Sequence, residues 1–105
     1  TILFLTDTAI VEKLERDFPL YADNFADWAE QGIGGAQQAV WAALAEQNIG
    51  ASLQHYNPLI DDAIHEAFAL SKEWKLRAQM PFGSIEAPAG EKDYLDENEV
   101  FKLIK

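Results

Sequence analysis

Gly50-Ala51-Ser52-Leu53-Gln54-His55-Tyr56-Asn57-Pro58 is the stretch on which the reading of this chain turns. Five hydrogen-bonding side chains, Ser52, Gln54, His55, Tyr56 and Asn57, gather there directly after a run that is apolar on nearly every side. A buried helix that ends in polar, turn-forming residues is a common way to hold a polar ligand against a core. Asn57-Pro58 stops the segment, because the residue before proline is driven out of the α region. The stretch reads as a ligand-facing loop, with a purely structural turn as the alternative.

Upstream, Ala39-Val40-Trp41-Ala42-Ala43-Leu44-Ala45 leaves no polar face until Glu46-Gln47-Asn48. The spacing predicts a helix from about Ala36 to Ile49, buried all round, with Gly50 as its C′ cap. A domain this small rarely encloses a helix alone, so a second subunit or a further segment is implied. Gly32-Ile33-Gly34-Gly35 is expected to break the chain before that helix. It is no dinucleotide fingerprint, since the third glycine would fall on Gln37. Earlier still, Tyr21, Phe25 and Trp28 recur at helical spacing, and Asp7 or Thr8 caps a helix through Val11, Leu14 and Phe18 that Pro19 ends. Thr1 to Leu5 reads as a buried strand. Opening on such a strand, the chain is expected to be the later part of a longer protein.

Downstream, Asp61 to Phe68 is expected to be a helix with Ile60, Ile64 and Phe68 inside, and Leu76 to Phe82 a strand ended by Pro81. Gly83 to Gly90 is a loop, Asp93 to Glu99 an acidic segment, and Val100 to Ile104 an apolar tail needing a partner. The 105 residues suit one domain, α/β (α+β) in class. A net charge of -10, with no Lys or Arg between Arg16 and Lys72, argues against nucleic acid or an anionic membrane surface as partner. No cysteine is present, which removes disulfides, thiolate metal sites and a cysteine nucleophile, and fits a cytoplasmic location. The longest apolar run is far below the roughly 20 residues of a membrane span.

The chemistry offers few candidates. His55 is either a donor to a bound ring or phosphate or a residue satisfying local turn carbonyls. His65, beside Glu66, reads as solvated. The two histidines lack the spacing of a helical zinc pair, so no metal is expected. Ser52 has no nucleophile elbow around it. Lys92 is an anion contact or a solvated surface lysine, and Lys75 and Arg77 stand under the same two readings.

Phe25-Ala26-Asp27-Trp28, Gln38 to Leu44, Gly50 to Pro58, Leu76-Arg77-Ala78-Gln79-Met80-Pro81-Phe82-Gly83 and Gly90-Glu91-Lys92 together resemble the C-terminal half of the nitroreductase-like flavoproteins. The match is nearer to the branch of the yeast fatty-acid-repression and stress-response homologues. The resemblance implies a homodimeric fold with FMN at the interface and 36–49 as the central dimer helix. It implies hydride from NAD(P)H to the flavin and electrons on to nitro compounds, quinones or similar small acceptors. Gln54, His55, Tyr56 and Asn57 would approach the flavin ring and Lys92 its phosphate; no side chain is implied as a proton donor. The family's N-terminal Arg-Arg-Ser-type flavin-binding segment has no match here, so residues 1–105 are expected to be the C-terminal part of one domain, and the enzyme reading applies to the longer parent. The competing readings are a non-catalytic interaction module and a degenerate flavin-fold regulatory protein.

Overall fold

The computed structural model describes residues 1–105. Strand β1 (Ile2–Asp7) leads into helix α1 (Thr8–Asp17), a 3-10 turn (Pro19–Tyr21) and the long helix α2 (Ala22–Glu46). Strand β2 (Gly50–Ala51), helix α3 (Asp61–Phe68), strands β3 (Trp74–Met80) and β4 (Phe82–Gly83) and the short helix α4 (Glu97–Val100) follow.

Strand β3 organises the rest. It pairs antiparallel with β1, from Ile2 opposite Met80 to Asp7 opposite Trp74, with one irregularity between Phe4 and Leu5. Its other edge is taken by the segment after β2: the Gln54 and Gln79 backbones exchange both hydrogen bonds, 2.8 and 2.9 Å, and Ser52 N–H donates to the Pro81 carbonyl at 3.1 Å. Flanked on both sides, β3 supplies most of the core. Leu76, Ala78 and Met80 are buried, as is Phe4 of β1, and the row Ile33, Val40 and Leu44 of α2 packs against Phe4, Ala78 and Met80. Those spacings of seven and four residues keep one helix face on the sheet.

Asp7 ends β1 and caps α1, its carboxylate accepting from the N–H groups of Ala9 and Ile10 at 3.0 and 3.3 Å. Thr8 then ties α1 to the start of β3, donating through both N–H and hydroxyl to the Glu73 carbonyl at 2.8 Å. Phe18, Phe25, Trp28 and Tyr21 close the α1–α2 corner, with the Phe25 and Trp28 rings edge-to-face at 5.5 Å.

Four expectations are corrected. Gly32-Ile33-Gly34-Gly35 does not break the chain; α2 runs through it for 25 residues. Each glycine costs about 1 kcal/mol against alanine in a helix, too little to interrupt Ala- and Gln-rich flanks that have no proline and a packed inner row. Burial on all sides does not hold within one chain either: Trp41, Ala42, Ala43 and Ala45 on the outer face of α2 are exposed. The left-handed residue after α2 is Asn48, at φ 56, and not Gly50. Gly50 is instead a close-approach residue, since a Cβ there would stand 3.0 Å from Ile85 Cγ1 and 3.5 Å from the Gly83 carbonyl oxygen. Finally, Phe68 is exposed: it shares the helix face of Ile60 and Ile64, but α3 packs extensively against no other element and its last turn is left uncovered. The tail from Val100 to Ile104 is exposed throughout. No helix is long and apolar enough to cross a membrane.

Candidate functional site

Gln79 is the buried polar residue of the core, at 5% exposure. A polar side chain in that position is tolerated when its amide is hydrogen-bonded. Its Oε1 accepts from the Tyr56 N–H at 3.0 Å, and its Nε2 donates to Asn57 Oδ1 at 3.2 Å. With the backbone bridge to Gln54, one residue of β3 therefore fixes three positions of the 54–57 segment. Asn57 Nδ2 in turn donates to Asp61 Oδ1 at 2.5 Å, so the segment is joined to the first turn of α3. The Asn57–Pro58 peptide is cis.

These bonds separate scaffold from free groups. Asn57 is committed through both ends of its amide. His55 Nδ1 lies 3.1 Å from the Arg77 carbonyl, which makes it the donor there and leaves Nε2 as the free ring nitrogen. The local reading of His55 is thus satisfied at one nitrogen and the ligand reading stays open at the other. The Gln54 amide and the Tyr56 hydroxyl make no hydrogen bond within the chain, and Tyr56 is half exposed. Arg77 is not a free cation: its guanidinium bonds Glu30 Oε2 at 2.9 and 2.8 Å, clasping α2 to β3.

Lys92 lies elsewhere. It lines a shallow cavity of about 260 Å³ on the outer face of α2 with Gln38, Trp41, Ala42 and Ala45, and none of residues 54–57 lines it. Its ammonium has no carboxylate partner. The structure thus brings Gln54, His55, Tyr56 and Asn57 together and sets Lys92 against a different surface. No group of histidine and carboxylate residues is arranged to hold a metal ion.

Gln79 is the residue that sequence reasoning passed over, and His65 the one it misread. A glutamine inside an apolar strand, Leu76 to Met80, was the available signal for Gln79. His65 is corrected from solvated to structural: Nδ1 lies 2.7 Å from the Asp61 carbonyl and Nε2 2.6 Å from the Trp74 carbonyl. Those two backbone acceptors, Asp61 first, with smaller help from the Asp61 and Asp62 charges, raise the His65 pKa above its ordinary 6.5.

The residues present fit a flavin in their chemistry. Free amide, phenol and imidazole groups on one ledge suit the polar edge of a ring system, and an unpaired ammonium beside apolar helix surface suits a phosphate. Comparison with known proteins bears on the family rather than on these residues. The chain matches the nitroreductase family model over residues 1–84. It is 40% identical over 95 residues to HBN1 of Saccharomyces cerevisiae, by name a nitroreductase, covering 90% of this chain and 48% of that protein. The nitroreductase FRM2 of the same yeast is 34% identical over 96 residues, 91% of this chain and 49% of its own length. Nitroreductase CinD from Lactococcus lactis superposes with a TM-score of 0.95 at 54% identity, over 98% of this chain and 54% of CinD in its complex with nicotinic acid. CinD has also been solved with chloramphenicol and with 4-nitrophenol. The chain spans about half the length of the relatives it matches.

Proposed function

The chain belongs to the nitroreductase family, and from that premise we propose that it forms part of an FMN-dependent oxidoreductase passing electrons from NAD(P)H to small acceptors such as nitro compounds or quinones. The observation that carries the reading is the clamped 54–57 ledge, where Gln79 holds the backbone while the Gln54 amide, the Tyr56 hydroxyl and His55 Nε2 stay free. The aromatic and nitroaromatic molecules bound by CinD support the acceptor class. On this reading the matched half is the C-terminal one, residues 1–105 being one part of a single domain in the cytoplasm.

The flavin, when bound, supplies the hydride and electron chemistry, and the protein supplies burial, orientation and hydrogen bonds. Gln54, His55 and Tyr56 would hold the ring edge, with Asn57 as their support and Lys92 the phosphate. The separation of Lys92 from the ledge within one chain is accounted for by a homodimer with FMN at its interface. The exposed outer face of α2, with Trp41, Ala42 and Ala45, supports α2 as the dimer helix. Proton donation is assigned to none of these side chains.

The test is a visible spectrum of the purified protein, then FMN titration of wild type and Lys92→Ala. Bonds to charged groups are worth about 1.5–3 kcal/mol, so Lys92→Ala should weaken FMN roughly tenfold or more. A featureless spectrum with no FMN binding would overturn the flavin reading for this chain. Unchanged affinity in Lys92→Ala would remove Lys92 from the site. NAD(P)H consumption with 4-nitrophenol then separates an enzyme from a flavin-binding regulator.

A further inference from the structure

His65 stands outside the ledge, yet its two contacts have a chemical consequence for it. Carbonyl oxygens only accept hydrogen bonds, and both His65 ring nitrogens face one, Asp61 at 2.7 Å and Trp74 at 2.6 Å. A neutral imidazole carries one N–H and one bare lone pair, so one of these contacts would set lone pair against lone pair. Only the imidazolium, with two donors, satisfies both. The surroundings favour the cation: Asp61, Asp62 and Glu66 of α3 share its cavity, opposed by Lys72 from the turn into β3, while β3 itself presents the Trp74 carbonyl.

The Asp61 contact is internal to α3, whereas the Trp74 contact joins α3 to the strand that holds the core. Few other contacts tie α3 down, as it packs extensively against no other element. Its second tie is the Asn57–Asp61 bond, which leads through Gln79 to the Tyr56 N–H. The ledge therefore sits at one end of a helix whose other attachment is a proton-dependent hydrogen bond.

We infer that His65 is a positioning residue whose doubly protonated ring pins α3 to β3 and thereby holds Tyr56 and Asn57 in place, so that ligand binding at the ledge follows the His65 proton. The ligand-binding clause rests on the flavin reading above; the pin itself does not. Loss of the proton leaves one N–H to serve two carbonyls, so the Trp74 tie is shared with the Asp61 contact and weakens, α3 gains freedom, and the Asn57–Gln79–Tyr56 chain loosens. Binding weakens as pH rises through the His65 titration.

The experiment is a pH titration of the ¹⁵N-labelled full chain by NMR, without flavin, reading the His65 ring nitrogens, the Asn57 side-chain amide and the Tyr56 backbone amide. The expected result is an imidazolium at pH 6.5 and a midpoint above it, with the Asn57 and Tyr56 signals shifting at the same midpoint. In His65→Gln, which has no proton to lose, those two signals should stay flat over the same range. A neutral His65 ring at pH 6.5, or Asn57 and Tyr56 signals that ignore its titration, overturns the inference. Should His65→Gln fail to fold, the wild-type titration decides alone. FMN titration on either side of the midpoint separates the two readings. Severalfold weaker FMN binding above it supports both. Coupled Asn57 and Tyr56 shifts with no FMN binding at any pH keep the pin and remove the flavin. FMN binding with uncoupled shifts does the reverse.

Discussion

Replacing Gln79 by methionine removes the ledge's support while keeping side-chain length and burial. Two hydrogen bonds disappear, from the Tyr56 N–H at 3.0 Å and to Asn57 Oδ1 at 3.2 Å, while the backbone bridge to Gln54 is untouched. Each bond contributes about 0.5–1.5 kcal/mol net, and an acceptor or donor left unpaired in the core costs about 1–3 kcal/mol. Tyr56 is half exposed, so water relieves its N–H; Asn57 is only partly exposed and keeps more of the penalty. The sum is a loss of about 2 kcal/mol, offset slightly by burying a thioether where an amide had been. For a domain of this size such a loss lowers Tm by roughly 8–16 °C. Urea unfolding gives the free energy, and hydrogen exchange at Tyr56 gives its location. Gln79→Glu is the informative companion, as it keeps an acceptor for Tyr56 N–H but sets a carboxylate against Asn57 Oδ1, and should be worse than methionine. A loss under about 0.5 kcal/mol, within the range of surface substitutions, together with unchanged exchange at Tyr56, would refute the account of Gln79 as template.

Other outcomes follow from the same geometry. Asp7→Ala deletes the α1 cap and should cost about 1 kcal/mol in urea unfolding, with Asp7→Ser recovering most of it. Nothing lies within 4 Å of a Cβ built on Gly34, so Gly34→Ala should stabilise the isolated chain by about 1 kcal/mol. If the same variant weakens self-association in sedimentation, the partner helix crosses there. The raised His65 pKa gives stability a defined pH dependence. Its contribution is complete below the unfolded value of 6.5 and is lost as pH rises through the higher folded value. The Tm difference between wild type and His65→Gln should therefore be largest in mild acid and shrink in base, and a difference that grows with pH would contradict the assignment.

Local pattern carried much of the fold. Asp7 and Pro19 bracket α1, Asp61 to Phe68 is α3 at both ends, and Pro81 separates β3 from β4, because caps and prolines act on their own neighbours. The strand β3 starts at Trp74, two residues before its apolar alternation begins, since Trp74 and Lys75 pair with β1 without being buried. What the local pattern misled on was α2. Glycines suggest a break, but whether one occurs depends on the Ile33–Val40–Leu44 row packing on a distant sheet. The candidate site divides the same way. Residues 54–57 are legible as a polar turn, while the partners that organise them, Gln79 and Arg77, lie more than twenty positions away. Nothing in the spacing indicates that Lys92 would face Trp41 and Gln38 rather than the ledge.

The unbroken course of α2 also governs how this chain tolerates change in length. At 1.5 Å per residue its 25 residues form a rod about 38 Å long, with the aromatic corner near one end and the core-facing row towards the other. A single residue inserted between Gly34 and Gly35 would turn everything beyond it by about 100°, swinging Val40 and Leu44 off the sheet while Phe25 and Trp28 stayed seated. The same insertion in the loop after Gly83 would shift no face of any helix. Length variation among natural variants should accordingly collect between Ser84 and Asp96 and be missing from Ala22 to Glu46, where only the identity of residues is free to drift.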